Sequence, residues 1–485
     1  METIVCKFGG SSVANAQQVR KVERIVAADP ARRIVVVSAP GKRDRTDEKI
    51  TDILIACHAL AAEGRDITSR FEPIRRRFHE LADDLAIGRD MDPWINEVET
   101  DIREGADYSA VVSRGEYLGA RMIARFLGFE FVDARDLIRF SDETTVDRNA
   151  TDRMIRARIE PGRSYVVPGF YGALADGRVQ LFTRGGSDIS ASLVARGIGA
   201  KLYENWTDVS GLLAADPRIV DSPDPIPRIS YTQLRDLAYL GANVFHDEAV
   251  APVADAGIPI NIRNTNEPDH PGTVIVGAAD QPAAATARPP AAPAAAARPP
   301  AEPAAAADQP AAPAAAAKPP AAPAARTAEA VIGVAGKTGY AGLLIRRSLL
   351  SKDGSAPARI RTSLGNRGVV VAHLSQGGDS ILAVVELATF QKALRDYGPD
   401  LQETICAELS VDSVDQTGAF ALVGAAGTGL LHRPFLIAGI FTAFAHEDLV
   451  PEFCSAGYSP DSFVVAVRED RYADAVRAVY RGTRR

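Results

Sequence analysis

The feature that most limits how this chain can fold lies in its middle. Residues 277–328 are almost entirely alanine and proline with a few charges, and Asp280-Gln281-Pro282-Ala283-Ala284 recurs as Asp308-Gln309-Pro310-Ala311-Ala312. Proline at this density breaks helices and withholds backbone donors from a sheet. Apolar groups are too few to offset the entropy of ordering the segment. It reads as a semi-extended spacer rich in polyproline II, with a partner-binding tract as the alternative. Folded structure is therefore expected on either side, in residues 1–276 and 329–485. A chain of 485 residues is long enough for two or three cores.

Hydrophobic residues make up 46% and charged residues 24% of the sequence, the balance of a globular protein. The formal net charge of −7 argues against a nucleic-acid binder, which needs a basic face. No apolar run approaches the roughly 20 residues of a membrane span. The opening Met1-Glu2-Thr3-Ile4-Val5 lacks the basic-then-apolar order of a signal peptide. Cys6, Cys57, Cys406 and Cys454 show no metal-type spacing, so each reads as a small buried hydrophobe in a reduced, cytoplasmic protein.

Before the spacer, short apolar runs alternate with helical patterns. Residues 4–8, 34–37, 129–132, 164–167 and 179–182 read as strands, the last two around a Gly-rich turn. Residues 17–28, 50–62, 65–85, 116–127 and 189–195 carry helical spacing. This alternation predicts an α/β domain, a three-layer sandwich with helices on both faces of a largely parallel sheet. Ligands in such domains sit at the carboxyl ends of the strands. After the spacer, Val331-Ile332-Gly333-Val334-Ala335-Gly336 and Phe420-Ala421-Leu422-Val423-Gly424-Ala425 each read as a strand entering a Gly-containing loop. Two small α+β modules of similar design are expected.

Several strand ends carry chemistry. Lys7-Phe8-Gly9-Gly10-Ser11-Ser12 lies where the first strand meets the first helix. Paired glycines let a backbone approach phosphate, the helix start offers free N–H groups, and Lys7 adds a cation. A glycine turn with a solvated lysine is the local alternative. Ser38-Ala39-Pro40-Gly41-Lys42 is a second such loop, and Ser113-Arg114-Gly115-Glu116 opens a helix. Thr183-Arg184-Gly185-Gly186-Ser187-Asp188 combines a guanidinium suited to a carboxylate with a hydroxyl and an acid. An N-capped helix after a tight turn is its alternative.

In this order and approximate spacing the motifs resemble the aspartate kinases of the amino-acid kinase superfamily, over about residues 3–276. Trp206-Thr207-Asp208-Val209-Ser210-Gly211, Asp216-Pro217-Arg218, Ile262-Arg263-Asn264-Thr265 and Pro271-Gly272-Thr273 complete the likeness. The resemblance implies an amino-acid kinase-like sandwich that uses ATP and Mg²⁺ to phosphorylate the side chain of L-aspartate. It implies that Lys7 steadies charge on the transferring phosphoryl group and that Asp188 organises the site. Arg184 would grip the substrate carboxylate beside Gly185, Gly186 and Ser187. Glu116 would pair with the substrate amino group, and Thr51 would touch substrate. Nucleotide contacts would come from Lys7, Phe8, Gly9, Gly10, Ser11, Thr207, Asp208, Leu213, Arg218, Asn243 and Val244. A modified aspartate or another acidic amino acid is the alternative substrate, and a non-catalytic amino-acid sensor the alternative function.

Leu213 stands where many members carry a nucleotide-stacking tyrosine, and Asn243 where many carry a lysine. The C-terminal modules resemble paired ACT domains, which bind lysine or threonine and join subunits, so a homo-oligomer is implied. Leu374-Ser375-Gln376-Gly377-Gly378-Asp379-Ser380 looks like an effector segment, but Ser355-Ala356-Pro357-Ala358-Arg359 replaces the usual Gly-containing helix start. Altered or lost lysine feedback is therefore expected.

Overall fold

The computed structural model describes residues 2–183, 185–242, 247–277, 331–455 and 461–484. The alanine–proline spacer beyond Gly277 lies outside them. The first half contains β1 (Ile4–Phe8), α1 (Ala16–Ala27), β2 (Arg32–Val37), α2 (Ile50–Ala62), α3 (Thr68–Asp84), α4 (Asp92–Arg103), α5 (Tyr108–Val112) and α6 (Arg114–Leu127). Then come β3 (Glu130–Phe131), α7 (Arg148–Arg158), β4 (Tyr165–Pro168), β5 (Tyr171–Ala173), β6 (Val179–Leu181) and α8 (Gly186–Ile198). It closes with β7 (Leu202–Thr207), β8 (Leu212–Leu213), β9 (Pro225–Ile226), β10 (Arg228–Ser230), α9 (Tyr231–Tyr239), α10 (Asp247–Asp255), β11 (Ile260–Asn264) and β12 (Thr273–Val276).

Eight of these strands form one sheet in the order β10-β12-β11-β7-β1-β2-β4-β3. The run from β11 to β3 is wholly parallel. All five residues of β1 are buried, as a strand covered on both faces requires. Helix α1 buries Val19, Val22, Ile25 and Val26 on one stripe and is started by Asn15, whose side chain accepts from the Gln18 N–H. Two expectations shift. The strand at 179–182 is not part of the sheet but pairs with β5 as a separate hairpin, and the helix expected at 189–195 already begins at Gly186.

The second half holds β13 (Gly333–Arg346), α11 (Ala356–Gly365), β14 (Val371–Gln376), β15 (Ser380–Glu386), α12 (Leu387–Tyr397) and α13 (Leu401–Leu409). It continues through β16 (Ser413–Ala426), α14 (Pro434–His446), β17 (Phe453–Ser455), β18 (Ser462–Arg468) and α15 (Tyr472–Thr483). These strands make a single antiparallel sheet, β14-β15-β13-β16-β18-β17. The duplication is real but offset from the expected alignment. Val331–Gly336 does not lead into a loop, because β13 runs on to Arg346.

The equivalent turns come later. The Asp379 carboxylate accepts from the N–H of Leu349 (2.7 Å) while its carbonyl accepts from Arg347. Asp461 does the same for Gly429 (2.6 Å) and Gly427. Leu349 and Gly429 share a left-handed backbone, φ 60° and 61°. The two halves meet where β13 and β16 lie on α9: Leu237 lies over Gly333 and Leu240 over Gly424, in one core cluster with Ala335, Phe420 and Leu422. Cys6 and Cys57 are buried, but Cys406 is only partly covered and Cys454 is exposed, correcting the expectation of four buried thiols. No helix among the described residues is long and apolar enough to cross a membrane.

Candidate active site

The parallel strands β1, β2, β4 and β7 end at one edge of the sheet, and their loops are packed together by missing side chains. A Cβ on Gly10 would lie 2.9 Å from the Ala39 carbonyl oxygen, and one on Gly41 would lie 2.7 Å from the Gly10 carbonyl carbon. The Gly41 N–H donates to the Gly10 carbonyl (2.9 Å), so the loops after β1 and β2 form one ridge. A Cβ on Gly169, just beyond β4, would strike the Ser187 side chain at 2.6 Å, which fixes the first turn of α8 against the end of β4. Gly185 caps that helix with φ 60°, a conformation that favours glycine.

Lys7 and Asp188 meet at this edge. The Lys7 Nζ lies 2.7 Å from the Asp188 Oδ1, with both side chains largely buried. Asn205 sits opposite Lys7 in the β1–β7 register, and its side-chain amide donates to the same Asp188 oxygen (3.2 Å). Sequence reasoning assigned Asn205 no role. Its signal is positional: a buried polar residue two positions before the carboxyl end of a strand. A Cβ on Gly9 would be 3.6 Å from Lys7 Nζ, so the lysine head lies against the glycine loop.

Other expected residues fall into place unevenly. Phe8 is fully buried and stacks on Trp206 with ring centroids 6.0 Å apart, so its ring supports the loop from below. Ser11 is exposed, whereas Ser12 is buried and shares a 2.7 Å hydrogen bond with Thr265. Thr51 is half-buried in the first turn of α2, next to Ile50, which abuts Gly115 of α6. The Thr207 hydroxyl donates to Asp208 (3.1 Å). Leu213 is exposed, and Arg218 reaches into solvent while holding Asp216 at 2.6 Å. Arg184, Asn243 and Val244 lie outside the described residues.

Glu116 occupies the first turn of α6 with only 7% of its surface exposed. Burial raises its pKa to about 7, against the opposing pull of the main-chain N–H groups of Ala39 and Glu116 and of nearby Arg114. Its Oε2 is buried without a hydrogen-bond partner among the described residues. A carboxylate left in this state suits a cationic ligand. The Oδ1 of Asn205 is likewise buried and unpartnered. The Asp188 carboxylate alone fits Mg²⁺, which takes one or two protein carboxylates and completes its shell with phosphates and water.

Comparison with known proteins agrees with this class of fold. Residues 2–264 match the model of the amino acid kinase family. Aspartokinase 3 of Bacillus subtilis is 30% identical over 98% of this chain and 97% of its own length. The crystal structure of aspartate kinase from Clostridium acetobutylicum superposes with a TM-score of 0.85 at 34% identity, covering 99% of this chain and 100% of that one. E. coli aspartokinase III shares the fold at 19% and 20% identity, with TM-scores of 0.68 and 0.67 and 99% of both chains covered. It was solved with aspartate and ADP and, separately, with lysine and aspartate. The chain belongs to the amino acid kinase family, and within it to the aspartokinases.

Proposed function

We propose that the protein transfers the γ-phosphoryl group of ATP to the side-chain carboxylate of L-aspartate, giving ADP and 4-phospho-L-aspartate, the first step of the aspartate-derived amino-acid pathway. A carboxylate is already a nucleophile, so no general base is needed. Its oxygen forms the new bond to phosphorus while the bond to the ADP oxygen breaks. The work left to the protein is to hold two anions together and absorb charge during transfer.

Lys7 meets the phosphoryl oxygens beside the backbone of Phe8, Gly9, Gly10 and Ser11. Asp188, oriented by the Asn205 amide, would hold Mg²⁺, which when bound neutralises phosphate charge. Glu116 takes the substrate ammonium group and Arg184 its side-chain carboxylate, with Thr51, Gly185, Gly186 and Ser187 lining the same pocket. Thr207, Asp208, Leu213, Arg218, Asn243 and Val244 serve the nucleotide.

The observation that carries this reading is the Lys7–Asp188 pair at 2.7 Å beside the glycine ridge where the parallel strands end. The full-length likeness to Aspartokinase 3 of Bacillus subtilis supports it. The test is ADP release with ATP, Mg²⁺ and L-aspartate, with hydroxylamine trapping the acyl phosphate. A panel of other acidic amino acids is run alongside. Hydroxamate from aspartate is the expected product; none from any acid would overturn the reading.

The second half is proposed as a pair of ACT-like modules joining a homo-oligomer, with lysine or threonine as candidate effectors. The corner of the first module is filled by its own side chains. Asp353 accepts from Ser355 (2.6 Å) and pairs with Arg347 (2.8 Å) and Arg359 (3.4 Å), and Asp379 is committed to the Leu349 turn. These contacts support altered lysine feedback.

A further inference from the structure

The loop after β7 lies against the C-terminal half. With α9 and the C-terminal sheet it lines a half-open cleft of about 530 Å³, of the size that holds small organic ligands. Val209, Leu213 and Arg218 contribute from the first half; Gly336 and Tyr472 contribute from the second. Val209 is only a few residues beyond Asn205, so β7 links this cavity to the Lys7–Asp188 pair.

Two observations single out Tyr472, the first residue of α15. Its hydroxyl donates to the Gly336 carbonyl at 2.9 Å, and a Cβ on Gly336 would lie 2.7 Å from its ring. The ring is therefore held in place by the β13 backbone yet stays only half-buried. In the same cavity Leu213 leaves 42% of its surface uncovered, although it is aliphatic. An oriented aromatic ring and an exposed leucine, lining one cleft with the loop that follows the Lys7-paired end of β7, are the lining a flat heterocycle requires.

We propose that Tyr472 is a nucleotide-positioning residue: its ring and Leu213 line the pocket for the purine base of ATP, so that the C-terminal half completes the nucleotide site. This rests on the nucleotide use proposed above and goes beyond it by assigning a binding role to a residue outside the kinase half.

The test is titration calorimetry on the full-length protein with two probes, ADP and inorganic tripolyphosphate, which has phosphates but no base. Tyr472→Leu is expected to weaken ADP about three- to tenfold while leaving tripolyphosphate within about twofold. Tyr472→Phe, which keeps the ring and loses the hydroxyl, is expected to stay within about twofold for both. Equal weakening of both probes would show a merely structural role and overturn the proposal. So would unchanged ADP affinity, or a Phe variant as weak as the Leu variant. Should Tyr472→Leu fail to fold, Leu213→Ala, at an exposed position, must itself weaken ADP and spare tripolyphosphate, or the proposal falls. Wild-type protein that binds ADP without phosphorylating aspartate would defeat the proposed reaction while leaving this inference standing.

Discussion

Replacing Glu116 by glutamine removes a charge that the folded protein accommodates poorly, and the consequences differ for stability and catalysis. The folded pKa of about 7 lies above the ordinary glutamate value of 4.5. The native state therefore holds this proton more tightly than the unfolded chain. Below pH 4.5 both states are protonated and Glu116 costs nothing. As pH rises from 4.5 to 7 the native state pays progressively for keeping or burying the charge, and above 7 the penalty is complete. At about 1.4 kcal/mol per pH unit it reaches on the order of 3 kcal/mol.

Glu116→Gln keeps the shape and discards the penalty. The variant is expected to be more stable than wild type at pH 8 by up to about 3 kcal/mol, less whatever the Ala39 and Glu116 N–H groups lose. The gain should vanish towards pH 4.5, as read from urea midpoints. Catalysis should move the other way. Losing the partner of a buried ammonium costs about 3 kcal/mol or more, so kcat/KM for aspartate should fall at least about a hundredfold. In wild type the same parameter should drop about tenfold per pH unit below 7, a slope the variant lacks. A variant no more stable than wild type at pH 8 would refute the burial argument. A wild-type kcat/KM flat between pH 6 and 8 would refute the ammonium role.

Other expectations are simpler to state. Lys7→Ala should lower kcat about 10²–10³-fold, the usual loss for a group that meets developing charge, in the coupled ADP assay. Gly41→Ala forces a Cβ to within 2.7 Å of the Gly10 backbone. It should cost about 1–3 kcal/mol in thermal unfolding and raise KM for ATP, since the ridge beneath the phosphates must open. Titrating activity with lysine and threonine should leave the rate largely unchanged, and strong inhibition by either would end the idea of altered feedback.

The parallel strands were easy to read because burial on both faces leaves an unbroken β-branched signature, as in Ile34-Val35-Val36-Val37. Lys7 and the glycine pair were legible because the chemistry sits at a strand–helix junction in one short stretch. Asn205 was not, because its role arises from register: it faces Lys7 only once β7 pairs with β1, nearly two hundred residues away in sequence. The hairpin β5–β6 was missed in part because three-residue strands carry too little periodicity to be seen.

The course of β13 misled for a different reason. Its glycines at 333, 336, 339 and 342 look like loop punctuation. Three of them instead admit neighbours: Leu237 at Gly333, Tyr472 at Gly336 and Thr417 at Gly342. A single sequence does not distinguish a glycine that bends the chain from one that makes room.

The merged six-stranded sheet bears on how the second half can respond to anything that binds it. β13 and β16 are the two middle strands, each 14 residues long and each the first strand of one repeat. Among the described residues the β13–β16 ladder is the longest, and one repeat does not slide past the other without breaking it. A shift of either outer strand therefore bears on both repeats at once, and on Gly336, which lies within the shared ladder and against Tyr472.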